Sequence, residues 1–536
     1  MKRVVLAFTI GVLCAFGAWA DEGHHHEDLT AGQLGMVHFP VSCAATTQKP
    51  FERGVALLHS FWYEEAEKEF EQIAKDDPQC AMAHWGIAMS IWHQLWNQPD
   101  AATIKRGHAE VKNAKALRPK TGRERDYIAA MDAFYRGKTR DYHDRANAYS
   151  QSMATTHQDY PDDLEAAAFY ALSLLASEPD NDTTFANRKQ AAAVLEKLFA
   201  VEPDHPGVAH YLIHSYDKPQ LAELGLPSAR RYAQIAPAAP HALHMPSHIF
   251  ARLGLWQDDI DSNLASIAAT RKTAAMHMGG ESHQFHAMDF LVYAYLQSGR
   301  EADAQRVIDE VKAMPAKKDD MYGMDFDPRT DALVTFSARY ALEMHHWTDA
   351  ASLTLVPGAE TGDNSITYWA RAIGAARSGK VADARKDVAE IEIIHAALLK
   401  QKKASFAEAV DQDRREALAW VAHAEGNNDE AILLLRTIAE KEEAEGDEPL
   451  AIPAREMLAD MTLDMNRPEQ ALAEYEADLK FNPNRFNGLY GAARAAELAG
   501  KSDKSNSYYA RLVKVCDGSS SDRPELSRAK ALLAQK

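Results

Sequence analysis

The chain has 536 residues, 46% hydrophobic and 26% charged, and its 78 acidic against 59 basic side chains give a formal net charge of −19. That composition is globular and excludes long disorder, collagen-like repeats and a multi-span membrane protein, while 27 Gly and 22 Pro are too few for an all-β chain of tight turns. An acidic surface also lacks the clustered Lys and Arg that a phosphate backbone requires, so nucleic acid is not an expected partner.

The N-terminus carries Lys2 and Arg3, an apolar run over residues 4–17, and Ala18-Trp19-Ala20. These read as the n-region, h-region and cleavage site of a signal peptide over residues 1–20, so the mature chain is expected to begin at Asp21, in the periplasm or secreted. The run is short for roughly 30 Å of hydrocarbon, and no second stretch of about 20 apolar residues follows, so no transmembrane span is expected after cleavage. Cys14 lacks a leucine three positions upstream, which weighs against lipidation. Residues 21–50 read as an extended segment containing the tract His24-His25-His26, either a solvated tail or a weak metal trap. An oxidising compartment allows two of Cys43, Cys80 and Cys516 to pair; Cys43 with Cys80 is the expected disulfide, and buried free thiols are the alternative.

From residue 51 onward amphipathic helical stretches alternate with short breaks, and a 34-residue period emerges. Gly54, Ala66, Phe70, Ile73 and Pro78 set its spacing near the start, and Ala471, Tyr475 and Pro483 repeat it near the end. Two antiparallel helices need such a set: a small residue where backbones approach, an aromatic filling the gap, and Pro stopping the second helix. The pattern resembles the tetratricopeptide repeat, with weaker copies phased on Ala304, Ala350, Ala384 and Ala431, and it is degenerate over residues 112–203. The resemblance implies an all-α, tetratricopeptide-type helical-hairpin solenoid in which each repeat contacts its neighbours. Residues 51–316 read as a first array with a His-rich centre and 329–536 as a second. The acidic stretch 317–328, with Asp319, Asp320, Asp325 and Asp327, is the expected linker, and residues 218–227 are expected to interrupt the first array.

Within the first array, His59 and His93, and Trp62 and Trp96, stand 34 residues apart. Aromatics with polar tips suit a ligand groove or a helix interface, so Trp62, His93 and Trp96 are candidate ligand-binding residues with packing as the competing role. His84 and His93 are nine positions apart and face opposite sides of a helix, which argues against one site containing both.

Eight histidines fall within residues 210–286. His210, His214 and Asp217 occupy positions i, i+4 and i+7, one stripe of a helix, and an i, i+4 pair can bring two imidazoles to one metal ion. A neighbouring carboxylate can ligate or orient a ring. His244 and His248 follow His210 and His214 by one 34-residue period, which places the two pairs on related helices. Pro246 belongs in a first turn, so this helix is expected to start near His244. His283 and His286 open the next helix after Gly279-Gly280. The candidate metal set is therefore His210, His214, Asp217, His244, His248, His283 and His286, suited to Zn(II), Cu(II) or Fe, with zinc or copper the expected ion, whereas His277 between Met276 and Met278 would suit Cu(I). The competing role is packed histidine held by hydrogen bonds.

Residues 34–39 with Cys43, 54–66, 80–90 and 240–256, which includes Pro240-His241-Ala242-Leu243-His244-Met245-Pro246-Ser247-His248, are similar to a group of exported bacterial tetratricopeptide proteins. That resemblance implies export and fold and carries over no catalytic residue. His-Glu-x-x-His, a phosphate loop, Gly-x-Ser-x-Gly and Cys-x-x-Cys-His are all missing from the sequence. The expected function is an exported scaffold for a protein or peptide partner, with a His-lined ligand or metal site between repeats. The alternative is a metal-dependent hydrolase using the same cluster, with Asp217 or Glu281 as base.

Overall fold

The computed structural model describes residues 29–95, 98–137, 140–180, 182–278, 283–316, 327–446 and 450–534. The signal-peptide segment, His24 to His26, Trp96, Glu281 and most of the acidic stretch lie outside the described residues. Among those described, the chain is helical with no strand, and consecutive helices pack against one another along an all-α helical-repeat solenoid. None of these helices is long and apolar enough to cross a membrane.

The repeat signature acts through size complementarity. Phe70, on the Tyr63–Asp76 helix, lies between Gly54 on Gln48–His59 and Gly86 on Ala81–Ser90. A Cβ at Gly54 or Gly86 would come within 2.8 or 2.3 Å of its ring. Tyr475 and Gly491 repeat the arrangement near the C-terminus, at 2.2 Å. The large side chain thus fills the space that the small ones open, at the density of a packed core. Cys43 and Cys80 are disulfide-bonded and tie the N-terminal segment to the first helices, while Cys516 is a buried thiol.

Contacts are not confined to neighbouring repeats as the solenoid resemblance implies. Curvature brings the Gln48–His59 helix against Pro206–Tyr216, and one hydrophobic core runs from Leu34 to Met278. The closure requires Gly207, where a Cβ would fall 2.4 Å from His59 Nδ1. The C-terminal half also folds back on the centre. Lys218 Nζ donates to the carbonyls of Glu445 and Gly446 at 2.8 and 2.7 Å, and Gln220 Nε2 to that of Glu443 at 2.7 Å. Trp256 Nε1 donates to the carbonyl of Asn484 at 2.8 Å.

Two local expectations are corrected. Residues 218–227 are not a continuous interruption, because helix Ala222–Ile235 begins at Ala222 and accommodates Pro227 in its interior. The helix expected near His244 starts earlier, as Pro240–His244, and a second helix, Pro246–Leu253, follows after Met245. Pro fits the opening position of both because its missing N–H has no intrahelical partner to lose. At the acidic stretch, Asp327 caps the Pro328–Glu343 helix by accepting from Arg329 N at 3.1 Å. The core on either side of the stretch is shared, with Val307, Ile308 and Val311 clustered with Ala332, Leu333 and Phe336.

Candidate metal centre

Six histidines from the stretch 210–286 gather into two trios: His210, His214 and His241, then His244, His248 and His286. Within each trio the ligand atoms lie within 4.8 Å of one another. Helix Pro206–Tyr216 supplies the first pair at i, i+4, and His241 joins it from Pro240–His244. The second pair straddles the helix break at Met245, and His286 joins from the exposed rim of the His283–Gln297 helix. Phe61 packs against all three rings of the first trio, with centroids 4.3–5.6 Å apart. Phe290 does the same for the second, at 4.6–5.3 Å. An apolar ring therefore shields each set of donors on one side.

The hydrogen bonds behind the rings fix which nitrogen carries the proton. His210 Nδ1 lies 2.6 Å from the carbonyl of His59, which can only accept, so its Nε2 bears the lone pair. His248 Nδ1 lies 2.8 Å from Asp217 Oδ2, and the other oxygen accepts from Arg252 Nε at 2.9 Å. Burial would raise the Asp217 carboxyl, but Arg252 and His248 outweigh it and hold it well below the usual carboxylate range. It is therefore an ionised acceptor for the Nδ1 proton of His248, whose Nε2 faces the other way. His244 Nδ1 lies 2.7 Å from Asn263 Oδ1, and the Asn263 amide is oriented by donating to the Asp259 carbonyl at 3.0 Å. Three rings are thus held with Nδ1 bonded outward and Nε2 pointing inward.

The inward nitrogens meet at close range. The Nε2 atoms of His244 and His248 are 3.1 Å apart, and that of His210 lies 3.1 Å from those of both His214 and His241. Such a spacing suits nitrogens that share one cation, since tetrahedral Zn–N bonds of 2.0–2.1 Å set a nitrogen–nitrogen edge of roughly 3.3 Å. Protonation is a poor substitute. Burial, then neighbouring histidines, push His214, His241 and His244 well below the ordinary imidazole value, and burial brings His210 down to about 3. These four rings are neutral and competent as ligands at physiological pH. A cavity of about 500 Å³ opens onto His214, His241, His248 and His286 and is also lined by Met245 and Tyr142.

A third cluster, His59–Glu165–His205, meets the same distance test and behaves differently. Glu165 accepts from His59 Nε2 at 2.8 Å and from His205 Nε2 at 2.9 Å, while His59 Nδ1 lies 2.8 Å from Tyr211 Oη. His205 Nδ1 accepts from Val208 N as a helix cap. Burial would raise Glu165, but His205 and His59 outweigh it and lower it. Protons fill this network, and its role is to hold the His59 carbonyl against His210.

The sequence candidates divide accordingly. His210, His214, His244, His248 and His286 converge, but as parts of two trios rather than one set phased by the repeat. Asp217 stands behind His248 with both oxygens bonded, which makes it an orienting group. His283 is buried beside His241, ring centroids 5.4 Å apart, outside both trios, and His277 is exposed and apart from them. Trp62 is buried with its indole N–H bonded to the Met278 carbonyl at 3.1 Å, and His93 stacks on Tyr63 at 4.8 Å; both fill a helix interface. Trp96 lies outside the described residues. The 34-residue phase passes over His241, although its i, i+3 spacing to His244 and i, i+7 spacing to His248 marks one helical stripe. Asn263, Phe61 and Phe290 had no comparable sequence signal.

No family model matches the chain, and no curated protein matches it in sequence. Solved structures similar to it include human IFIT1 as a dimer with m7Gppp-AAAA, at 13% identity and TM-score 0.34, covering 82% of this chain and 90% of that one. The APC/C hetero-tetramer Cut9-Hcn1 is similar at 10% identity and TM-score 0.31, covering 92% and 90%. Naa15/Naa10 bound to HypK-THB aligns at 10% identity and TM-score 0.23, covering 92% and 96%.

Proposed function

We propose that this chain is an exported tetratricopeptide-type scaffold that holds zinc or copper in its central histidine cluster and displays that centre to a protein or peptide partner. The observation that carries the metal reading is the His244–His248 pair, whose Nδ1 atoms are engaged by Asn263 and Asp217 while their Nε2 atoms face each other at 3.1 Å, inside a trio completed by His286. The signal-like N-terminus and the Cys43–Cys80 disulfide support export to an oxidising compartment. Hydrolysis has less support, because both oxygens of Asp217 are engaged and neither is poised to take a proton from water.

Elemental analysis of the mature chain, purified without a polyhistidine tag, should find zinc or copper at one equivalent or more. The His214→Ala/His248→Ala variant should lose it while keeping its circular dichroism spectrum. Absence of metal from both, together with failure of the wild type to load zinc, copper or iron, would overturn the proposal. A finer test is Asp217→Asn, which keeps every imidazole but replaces an ionised acceptor with a neutral amide. Mutations behind metal ligands weaken affinity by about 10- to 100-fold. Competition with a chromophoric chelator should show a loss in that range, and unchanged affinity would remove Asp217 from the site.

A further inference from the structure

We infer that the cluster is a two-metal centre, with one ion in each histidine trio. The inference rests on the metal reading above and goes beyond it in nuclearity. The close Nε2 contacts run within the trios, His210 to His214 and to His241, and His244 to His248, each at 3.1 Å. Across the gap the rings stand farther apart, with centroids at 6.1 Å for His241–His244 and 6.5 Å for His214–His248, against 4.8–5.0 Å for the three close pairs. One six-coordinate ion would interleave the two sets, bringing nitrogens of one within roughly 3 Å of nitrogens of the other.

Each trio is also built as a separate unit. Each takes two histidines four residues apart and a third from the helix after the next, and each has its own phenylalanine, Phe61 or Phe290, against the rings. Their supporting groups are distinct: the His59 carbonyl for the first, Asn263 and Asp217 for the second. Three neutral imidazoles leave a coordination position open on a four-coordinate ion. The shared cavity of about 500 Å³ reaches His214 and His241 of one trio and His248 and His286 of the other, so both open positions are accessible to the same small ligand. The donor set fits a pair of late first-row ions, zinc or copper, with cobalt as a spectroscopic substitute.

Titration of the metal-free full mature chain with Co(II), followed by d–d absorption and confirmed by elemental analysis, tests this directly. Wild type should break at two equivalents. His214→Ala/His241→Ala and His244→Ala/His286→Ala should each break at one, with wild-type circular dichroism. A wild-type break at one equivalent would overturn the two-metal inference while leaving the metal reading intact, and it would do so even if a double variant failed to fold. Two equivalents retained by both folded variants would place the ions elsewhere and also overturn it. No cobalt, zinc or copper uptake by wild type would remove the underlying metal reading as well.

Discussion

Replacing Arg485 by methionine will destabilise the protein by about 3–5 kcal/mol, the range for removing one partner from a buried ion pair. Its guanidinium is fully buried and donates to Glu456 at 2.8 and 2.9 Å, to Glu343 at 2.8 Å and to the Tyr293 hydroxyl. Methionine preserves much of the apolar stem but leaves Glu343 and Glu456 facing each other without the cation. Burial already raises Glu456 against the pull of Arg485, so in the variant this carboxyl is expected to take up a proton. The destabilisation should shrink on acidification, and adding Glu456→Gln should recover part of it. Thermal denaturation across this set measures the effect; a loss under 1 kcal/mol would mean that the network does not brace the fold. Tyr293 lies on the helix that carries His286, so weakened metal affinity in the same variant would show that the brace reaches the histidines.

The metal-free protein will lose stability through its histidines as pH falls below about 6.5. For His210 the folded value, about 3, lies below the ordinary 6.5, so in this window the unfolded chain binds a proton that the folded chain excludes. The contribution is complete above 6.5, declines as pH falls, and is exhausted below about 3. Linkage puts the His210 contribution at about 2 kcal/mol by pH 5. His214, His241 and His244 shift in the same direction. A carboxyl opposes the trend, since desolvation pushes the half-buried Asp413 up to about 7 and such a group favours the folded state on acidification. The informative quantity is therefore the difference between wild type and His210→Phe, followed by melting temperature from pH 7.5 to 5 in chelator. The gap should move against wild type as pH falls, whereas a constant gap would mean that His210 is not buried as a neutral ring. Metal should suppress the dependence until acid displaces it.

The repeat was legible because packing repeats. Gly54, Phe70 and Gly86 obey one steric rule, and the rule leaves a periodic mark in the sequence. The histidines were legible for the same reason at i, i+4, where one helix sets the geometry. The division into trios was not, because it depends on how the Pro240–His244 helix packs between its neighbours, with His241 against His210 and His244 against His248 and His286. A 34-residue phase assumes equivalent repeats, and the segment between Tyr216 and Pro240 is not equivalent to its neighbours. Asn263 and the His59 carbonyl leave no mark at all: one is an ordinary amide on a long helix, and the other is main chain brought 151 residues across the fold. Sequence pattern reports neighbours along a helix, whereas proton placement on an imidazole depends on whatever the curvature delivers behind it.

The clasp made by Lys218 and Gln220 on the carbonyls of Glu443, Glu445 and Gly446 has a mechanical meaning. An open row of helical hairpins behaves as a spring, stretching and twisting by small slips between adjacent turns. Here two distant turns are stitched together one residue beyond Asp217, the group that aims His248. A coil stitched across its own bend stiffens where the stitch lies, and its compliance is displaced to the free ends. The imidazoles consequently lie beside a stitched bend rather than on a free run of the spring.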